Sequence, residues 1–377
     1  MKAAVLYQAN SPFVIEDIGM SKPGPSEVLV RVLACTFSIL GAAASVMPAC
    51  AQSHAPITPT PPAVAVTLDN YIRAESDRSL ESVVWRSGFG KFFNQRELAP
   101  IDRQIVVRPN RDTLYSLGVV DLDAGPVTIT MPDAGKRFMS LQVIDEDHYT
   151  HADIYGAGTY TFTRERIGTR YALMAVRTLV DPANPQDVGQ AHALQDALKL
   201  TQKHQGKFEI PNWDQAELTK LREALLVLGT TVQDTRGMFG GPRQVDPVRR
   251  LVGTALAWGG SPEKDAYYLP ITPAKNDGAT IYKLTVGEVP VDGFWSVSVY
   301  NAKGLFEPNK FGWYSLNNIT AKKNPDGKVE IQFGGCDAAT VNCLPTMPGW
   351  NYLVRLYRAH PDILSGKWTF PQAQAVN

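Results

Sequence analysis

Residues 127–131 read VTITM and residues 138–144 read FMSLQVI. Apolar and polar residues alternate in both stretches, the period of two that places every second side chain on one face of a β-strand. The alternation also occurs at residues 113–119, 159–163 and 171–176, with turn residues between the stretches. Short strands at such close spacing predict an antiparallel β-sandwich in this part of the chain.

Residues 187–258 follow a helical period instead. Asp214 with Glu217 three residues later resembles a capping box, in which each side chain bonds the other residue's backbone. The apolar stripe that follows is Leu218, Leu221, Leu225 and Leu228. A second helix is predicted after Asp246-Pro247, with the stripe Val248, Leu251, Val252 and Ala255. We expect both stripes to pack into a core.

The alternating pattern returns after residue 278. Four stretches carry it, at residues 281–286, 294–300, 329–333 and 352–357. They predict a second β-sandwich or a jelly roll. The fold class expected from the residues is therefore mainly β with a helical insert. The expected segments are an extension at 1–51, a linker at 52–67, a first β-domain at 68–183, a helical region at 184–275 and a second β-domain at 276–377.

The composition narrows the possible partners. Among 377 residues, Lys plus Arg and Asp plus Glu each number 37, so the net charge is zero. Nucleic acids and anionic membranes select a basic excess, so we expect neither as the main partner. Hydrophobic residues make up 44% of the chain, which excludes wholesale disorder. The residues do not predict an oligomeric state.

The first 34 residues carry a separate signal. Lys2-Ala3-Ala4-Val5, Pro23-Gly24-Pro25 and Glu27-Val28-Leu29-Val30-Arg31 resemble the start of a zinc-dependent alcohol dehydrogenase. The resemblance ends at Cys35, because neither the zinc ligands nor a G-x-G-x-x-G turn follows. We interpret this extension as a gene fusion or a misassigned start, and we expect no cofactor and no metal.

Residues 32–51 read VLACTFSILGAAASVMPACA and are typical of a secretory signal, with a small-residue cleavage pattern at Ala49-Cys50-Ala51. No later stretch reaches 18 apolar residues, so we expect no transmembrane segment in the mature chain. The chain has four cysteines, and removal of the signal would leave only Cys336 and Cys343. We predict that they form a disulfide in a periplasmic or secreted protein.

The densest polar segment is Arg108-Pro109-Asn110-Arg111-Asp112-Thr113-Leu114-Tyr115. In an extended backbone, Arg108, Asn110 and Asp112 would share one face. Such a set can bind a ligand carboxylate or a sugar, with Tyr115 beside it. The alternative is a structural ion pair at the entry of a strand.

A second polar segment, residues 145–153, follows a predicted strand and reads DEDHYTHAD. Asp145 is a candidate ligand-binding residue, and Asp147, His148 and Tyr149 are candidates for general acid–base chemistry with Asp112. The alternative is a solvated loop. Trp295 and Tyr300 are aromatic candidates for contact with a sugar or an apolar ligand, against the alternative of core packing.

Residues 108–116 resemble domain-of-unknown-function family 1254. Gly293-Phe294-Trp295, Tyr300-Asn301, Leu316-Asn317, and Trp350-Asn351-Tyr352 through Trp368-Thr369-Phe370-Pro371 resemble its usual partner, family 1214. Together the two resemblances cover about residues 70–375. They imply an N-terminal immunoglobulin-like sandwich, a helical insert and a C-terminal jelly-roll sandwich, and they imply no established activity.

Two functions stay open from the sequence. One is an exported binding protein that holds a small molecule or a glycan between its two β-domains. The other is an exported hydrolase or lyase that uses Asp147, His148 and Tyr149 near Arg108 and Asp112. Convergence of these side chains in one pocket would favour the enzyme.

Overall fold

A computed structural model describes residues 2–5, 14–17, 62–104 and 107–376. The chain divides into two compact units, Met1–Pro59 and Thr60–Asn377. In the first unit, strand β1 (Lys2–Val5) pairs antiparallel with β2 (Val14–Asp17). The predicted signal segment and the first part of the predicted linker, residues 52–61, lie outside the described residues. All further description concerns the second unit.

The first half of this unit contains two antiparallel sheets, which we call the N-terminal sheet pair. Its larger sheet has the strand order β3-β4-β9-β6-β7 and its smaller sheet the order β10-β5-β8. The elements in chain order are α1 (Tyr71–Val84), β3 (Phe93–Asn94), β4 (Thr113–Asp121), β5 (Val127–Met131), β6 (Met139–Asp145), β7 (Thr150–Ile154), β8 (Gly158–Phe162), α2 (Arg164–Ile167), β9 (Tyr171–Leu179), α3 (Pro185–Ala197) and β10 (Lys199–Gln202).

The alternation of side chains along β6 separates two environments. Leu141 and Val143 point into the core that the larger sheet shares with Ile129 of the smaller sheet. Ile144 lies on the opposite face and packs against Leu80 of helix α1. The other positions of β6 on that face are polar, Ser140 and Gln142. This part of the sheet is therefore available for polar contacts instead of packing against a helix.

The helical insert consists of α4 (Gln215–Gly229) and α5 (Pro247–Ala257). Asp214 caps α4 by accepting hydrogen bonds from the backbone N–H groups of Ala216 and Glu217. The reciprocal half of the predicted capping box is wrong, because Glu217 accepts instead from the N–H of Val66. Val66 is buried, so the end of the segment expected to be a linker is docked on the helices.

Two predicted core positions of these helices are exposed. Leu228 keeps 56% of its surface and Val248 keeps 70%. The contact between the helices runs one residue further along α4, at Gly229, where an added Cβ would come within 2.7 Å of the Leu256 side chain. The stripe therefore turns away from Leu228, because successive helical residues differ by about 100° in direction.

The second half of the unit contains the C-terminal sheet pair, with the strand orders β11-β17-β13-β14 and β16-β15-β12-β18. Its strands and short helix are β11 (Ala266–Ile271), β12 (Tyr282–Val286), β13 (Trp295–Tyr300), β14 (Ser315–Asn317), β15 (Val329–Phe333), β16 (Cys343–Leu344), β17 (Asn351–Tyr357), α6 (Pro361–Leu364) and β18 (Gln374–Ala375). All described pairings are antiparallel except β15 with β16. Cys336 and Cys343 form the predicted disulfide.

The predicted fold class, mainly β with a helical insert, is confirmed. The segment boundaries differ, because β10 and β11 were expected in the helical region and instead belong to sheets. The immunoglobulin-like and jelly-roll topologies stay predictions. In the described part of the chain, none of the helices has the length and apolar character needed to cross a membrane.

Candidate functional site

The two sheet pairs meet along a contact that we call the seam. Phe138 packs edge-on against Phe294 at a ring-centroid distance of 5.0 Å and contacts Tyr357 at 5.3 Å. Leu179 joins the same apolar cluster. Beside this cluster the seam is polar, and its residues are Arg108, Asn110, Asp112, Tyr115 and Arg177 from the N-terminal side, with Tyr268, Ser296, Ser298, Tyr300, Asn317, Asn351, Arg355 and Tyr357 from the C-terminal side.

Strand alternation decides which residues of the C-terminal pair reach the seam. On β13, Ser298 and Tyr300 face it. Trp295 points to the other side, into the core of the C-terminal pair, where it packs near Phe370. The predicted ligand contact of Trp295 is therefore corrected to a core role, because its odd-numbered position lies on the inner face of the strand.

Arg355 is the most enclosed cation of the seam, with 2% of its surface exposed. Its guanidinium donates to the hydroxyls of Ser298 at 3.0 Å and Tyr300 at 2.8 Å, and to the carbonyl of Arg108 at 2.9 Å. Tyr300 in turn donates to the carbonyl of Pro109 at 2.8 Å. Arg355 and Tyr300 thus hold the segment 108–112 against the C-terminal sheet.

That segment presents three side chains to the C-terminal sheet, although the extended backbone assumed in the prediction is interrupted at Arg108. Arg108 donates to Asn351 Oδ1 at 3.3 Å, and Asn110 donates to the Tyr357 hydroxyl at 3.0 Å. Arg108 adopts a left-handed backbone conformation with a φ of 50°. A residue with a Cβ is strained there, and such strain concentrates at functional positions.

Asp112 lies buried at the entry of β4. Its Oδ1 accepts from Asn317 Nδ2 at 3.1 Å, whereas Oδ2 has no hydrogen-bond partner in the described part of the chain. Burial raises the pKa of the Asp112 carboxyl, and the nearby charge of Arg355 and the polar groups of Ser296 and Asn317 offset only part of that rise. The Ser296 hydroxyl lies near the Asp112 carboxyl but forms no hydrogen bond within the described residues.

Arg177 projects from β9 toward the same seam. Its guanidinium lies 5.5 Å from the centre of the Tyr115 ring, donates to Gln142 Oε1 at 2.7 Å and donates to the carbonyl of Gly259 at 3.1 Å. Tyr115 and Tyr268 both keep part of their surface exposed. Burial nevertheless raises the pKa of Tyr268.

The arginines of the seam are not neutralised by contact. Within the described residues, Arg108, Arg177 and Arg355 have no carboxylate within the 4.0 Å of an ion pair. The Nε of Arg108 is buried without a hydrogen-bond partner there. Burial lowers the pKa of Arg108, and the charge of Arg355 lowers it further.

The predicted acid–base segment forms a different structure at the end of β6. Asp145 accepts hydrogen bonds from the N–H groups of Asp147 and Tyr149 and from His151 Nε2 at 2.7 Å. Asp147 pairs with Arg73 of α1, and Tyr149 lies under the guanidinium of Arg250. Asp145 therefore organises a tight turn and does not face the seam.

His148 is buried in that turn with both ring nitrogens bonded. Nδ1 lies 2.8 Å from Thr254 Oγ1, and Nε2 accepts the N–H of Gly259 at 2.8 Å. Because Thr254 Oγ1 donates to the carbonyl of Arg250, the network assigns the proton to Nδ1. Burial, with the charge of Arg250, lowers the pKa of His148 to about 3. At neutral pH the ring is therefore uncharged, and both of its nitrogens are engaged in hydrogen bonds.

The two predicted clusters do not form one constellation. Asp145 and Val120 both pair with Ala172 of β9, so Asp145 lies level with Val120 in the sheet. Val120 follows Asp112 by eight residues along β4. At ~3.3 Å per residue this is about 26 Å. One link runs through Gly259, whose N–H bonds His148 and whose carbonyl bonds Arg177. The set Asp112, Asp147, His148 and Tyr149 cannot act on one substrate.

Sequence reasoning did not include Arg177 or Arg355. A signal for both exists, since each is the single charged residue within a strand that is buried throughout, β9 and β17. Charged residues are almost never fully buried without a partner, so a lone Arg in an apolar strand marks a polar site.

Two surface hollows lie elsewhere. One, of about 400 Å³, is lined by Leu122, Pro126 and Arg164, and the other, of about 480 Å³, by Leu228, Val232 and Val248. Neither contains a seam residue, and neither gathers buried charged groups. In the part of the chain that the structure describes, no group of three or more His, Cys, Asp or Glu side chains is placed to hold a metal ion.

The architecture and the seam define a mainly β protein in which two sheet pairs enclose a cluster of arginines. Residues 89–202 match the family described as "Protein of unknown function (DUF1254)", and residues 272–361 match "Protein of unknown function (DUF1214)". The chain thus combines a DUF1254 region in its N-terminal half with a DUF1214 region in its C-terminal half. The predicted resemblance to these two families is confirmed over the matched residues, and the resemblance of the first 34 residues to an alcohol dehydrogenase stays a prediction.

Two solved structures are similar to this chain to different degrees. The crystal structure of the VPA0106 protein from Vibrio parahaemolyticus matches with a TM-score of 0.62 and 19% identity, over 82% of this chain and 98% of that one. An uncharacterized protein from Burkholderia cenocepacia matches with a TM-score of 0.49 and 13% identity, over 82% and 88%. At this identity the first likeness shows the fold alone. No curated protein matches the chain.

Proposed function

We propose that this chain is an exported binding protein whose seam holds a small carboxylate-bearing molecule. The observation that carries the proposal is the set of three arginines of the seam, of which Arg177 and Arg355 are buried and Arg108 is half-buried with a buried Nε. None of the three has a described carboxylate within ion-pair distance. A buried guanidinium without a counter-charge costs free energy, and a bound anion would remove that cost.

The donors of the seam fit a carboxylate. A guanidinium binds a carboxylate through two parallel hydrogen bonds, and Arg108 has a buried Nε that no described residue uses. Tyr115 and Tyr268 offer aromatic faces and hydroxyls beside Arg177. A ring or a chain that carries hydroxyl groups would pack there. The ligand class that suits both features is a sugar acid or a hydroxy acid.

Two observations support export. The Cys336–Cys343 disulfide is a bond of oxidising compartments, and residues 32–51 carry the pattern of a secretory signal. A periplasmic or secreted location would also suit a protein that captures small acids from its surroundings. The alternative of a hydrolase or lyase has no support in the seam, because His148 is neutral, occupied and remote from Asp112.

The test is binding of D-galacturonate and D-gluconate, with D-galactose as the neutral comparison, measured by calorimetry and by the shift in melting temperature. We expect the acids to bind and the neutral sugar to bind at least tenfold more weakly. Arg108→Gln should weaken acid binding at least tenfold, since a charge-assisted hydrogen bond contributes about 1.5–3 kcal/mol.

Arg103→Gln is the matched control, because Arg103 is an exposed arginine five residues before Arg108. It should bind like the unaltered protein, and Arg108→Lys should fall between the two because it keeps the charge but loses the fork. Failure of both acids to bind, or equal binding by Arg108→Gln and Arg103→Gln, would contradict the proposal.

A further inference from the structure

The segment that follows helix α1, residues 85–91, lies against residues 203–210, which follow β10. Gln205 Nε2 donates to the carbonyl of Phe89 at 2.8 Å. The rings of Phe89 and Phe208 meet edge to face, with their centres 5.9 Å apart. Two segments joined by a hydrogen bond and a ring contact form one continuous surface.

Four cations lie on these two segments, and with Trp85 they form what we call the cationic face. They are Arg86, Lys91, Lys203 and Lys207. The three lysines are exposed and the arginine is half-buried. None of the four forms an ion pair within the described residues. Cations without a counter-charge in contact remain available to an anion from solution.

The carboxylates next to the cationic face do not balance it. Asp121 Oδ2 accepts the N–H of Lys207 and lies 3.0 Å from the guanidinium of Arg170, which also lies 3.4 Å from Glu209. Glu81 stands one turn before Trp85 in helix α1. With Arg170, five cations therefore stand against three carboxylates, a local positive surplus in a chain whose net charge is zero.

Trp85 is the most exposed of the large apolar side chains that the structure describes, with 81% of its surface accessible. It ends helix α1, and its neighbour Val84 packs in the same apolar cluster as Phe208 and Ile210. No other large apolar side chain within residues 85–91 and 203–210 is exposed. An isolated indole among cations suits a partner with a flat apolar face and charged edges.

We propose that the cationic face binds an acidic polysaccharide, with the indole of Trp85 stacked on one sugar ring and the lysines paired with carboxylates of neighbouring sugars. A membrane would receive several apolar side chains, and a single-stranded nucleic acid stacks successive bases on several rings. One ring between cations fits a chain of sugar acids better than either. The proposal goes beyond the proposed function and does not depend on it, because the cationic face contains no residue of the seam.

The first experiment measures the affinity of the full chain for polygalacturonate, with the fully methyl-esterified polymer as the uncharged comparison. We expect the ester to bind at least about tenfold more weakly, and we expect the acid to lose at least about tenfold in affinity between about 50 and 200 mM salt, because binding releases counterions. Equal binding of the acid and its ester would overturn the proposal.

The lysines are tested by the double variant Lys203→Gln/Lys207→Gln. It should bind polygalacturonate at least about tenfold more weakly, since two of the four cations are lost. The matched control is Lys322→Gln/Lys323→Gln, which removes the same charge from two exposed lysines of the C-terminal half. It should bind like the unaltered protein, and equal binding by the two double variants would contradict the proposal.

The stacking is tested by Trp85→Ala, which should retain the fold because the side chain is exposed. The variant should bind polygalacturonate about fivefold more weakly, and Trp85→Phe should fall between it and the unaltered protein. Binding of poly-L-glutamate should not change in Trp85→Ala, because this polyanion has no sugar ring. An equal loss for both polymers would show that the indole does not recognise a sugar.

Two further measurements separate this proposal from its alternatives. Tighter binding to phosphatidylglycerol vesicles or to single-stranded DNA than to polygalacturonate would overturn the polysaccharide as the partner. Arg108→Gln should keep its affinity for the polymer, and Lys203→Gln/Lys207→Gln should keep its affinity for D-galacturonate. The failure of the seam as a binding site and the failure of the cationic face are therefore distinguishable.

Discussion

Arg355 illustrates how a buried charge is accommodated at the scale of one residue. Its guanidinium is satisfied by hydroxyl and carbonyl oxygens rather than by a carboxylate, and Asp112 acts on it only through space. Hydrogen bonds to neutral dipoles orient the cation without cancelling its charge. The positive potential of Arg355 is therefore not cancelled, as it would be in an internal ion pair.

His148 provides the first prediction at this scale. Its pKa in the folded protein is about 3, against 6.5 for an unperturbed histidine, so the unfolded state binds more protons between these values. The stabilisation by neutral His148 is present above pH 6.5 and is lost as pH falls toward 3. His148→Phe should keep the stacking on Trp258 but leave the N–H of Gly259 unpaired, at a cost of about 2–3 kcal/mol at pH 7.

The measurement is urea unfolding of both proteins at pH 7.0, 5.5 and 4.5. The stability difference should shrink as pH falls, by up to ~1.4 kcal/mol per pH unit. Asp147→Asn is a control in the same turn, with a partly exposed side chain that pairs with Arg73. A difference that stays constant or grows with acidification would show that the histidine titrates normally in the folded state.

At the scale of the elements, strand parity decides the chemistry of the seam. On β13 the odd positions Trp295 and Val297 enter the core and the even positions Ser296 and Ser298 face the N-terminal side. Both faces are buried, so the strand reads as a mixture of serines and large apolar residues. The serines are buried polar groups, and burial of such groups is tolerated only against another polar surface.

Helix α4 allows a prediction about its N-terminus. Asp214 accepts two backbone N–H groups, and its replacement by Ala should cost about 1 kcal/mol of the free energy of unfolding. Asp214→Asn should keep most of that stability, because an amide oxygen also caps a helix. Urea denaturation at neutral pH measures both. Equal stability of Asp214→Ala and the unaltered protein would mean that the first turn of α4 finds other partners.

At the scale of the whole molecule, the seam joins the two sheet pairs through Phe138. The ring contacts Phe294 and Tyr357 from the C-terminal side and Tyr155 from the N-terminal side. Arg355 and Tyr300 add hydrogen bonds to the backbone of residues 108 and 109. The two halves should therefore unfold together in the unaltered protein.

The last prediction tests this coupling. Phe138→Ala should lower stability by about 3 kcal/mol and separate the thermal unfolding of the two halves into two transitions in calorimetry. Phe208→Ala is the matched control, because Phe208 packs on Phe89 and Tyr171 away from the seam. It should lower stability and keep a single transition. A single transition in Phe138→Ala would show that the polar contacts alone couple the halves.

The alternating pattern at residues 127–144 and 294–300 determined by itself that the chain is mainly β, because the side-chain period is a local property of the backbone. The density of polar residues at 108–112 marked that segment as a candidate site, although Arg108 adopts a left-handed conformation instead of the expected extended one. The pairing of Cys336 with Cys343 followed from their number and spacing.

Only the tertiary structure decided which polar residues meet. Asp112 and His148 lie 36 residues apart in sequence, yet strand direction places them toward opposite ends of one sheet, whereas Arg108 and Arg355 converge because β17 returns across the seam. Strand order and sheet docking arise from the burial of all apolar faces together, which no local pattern encodes. The seam and its arginines exist only once the two sheet pairs are in contact.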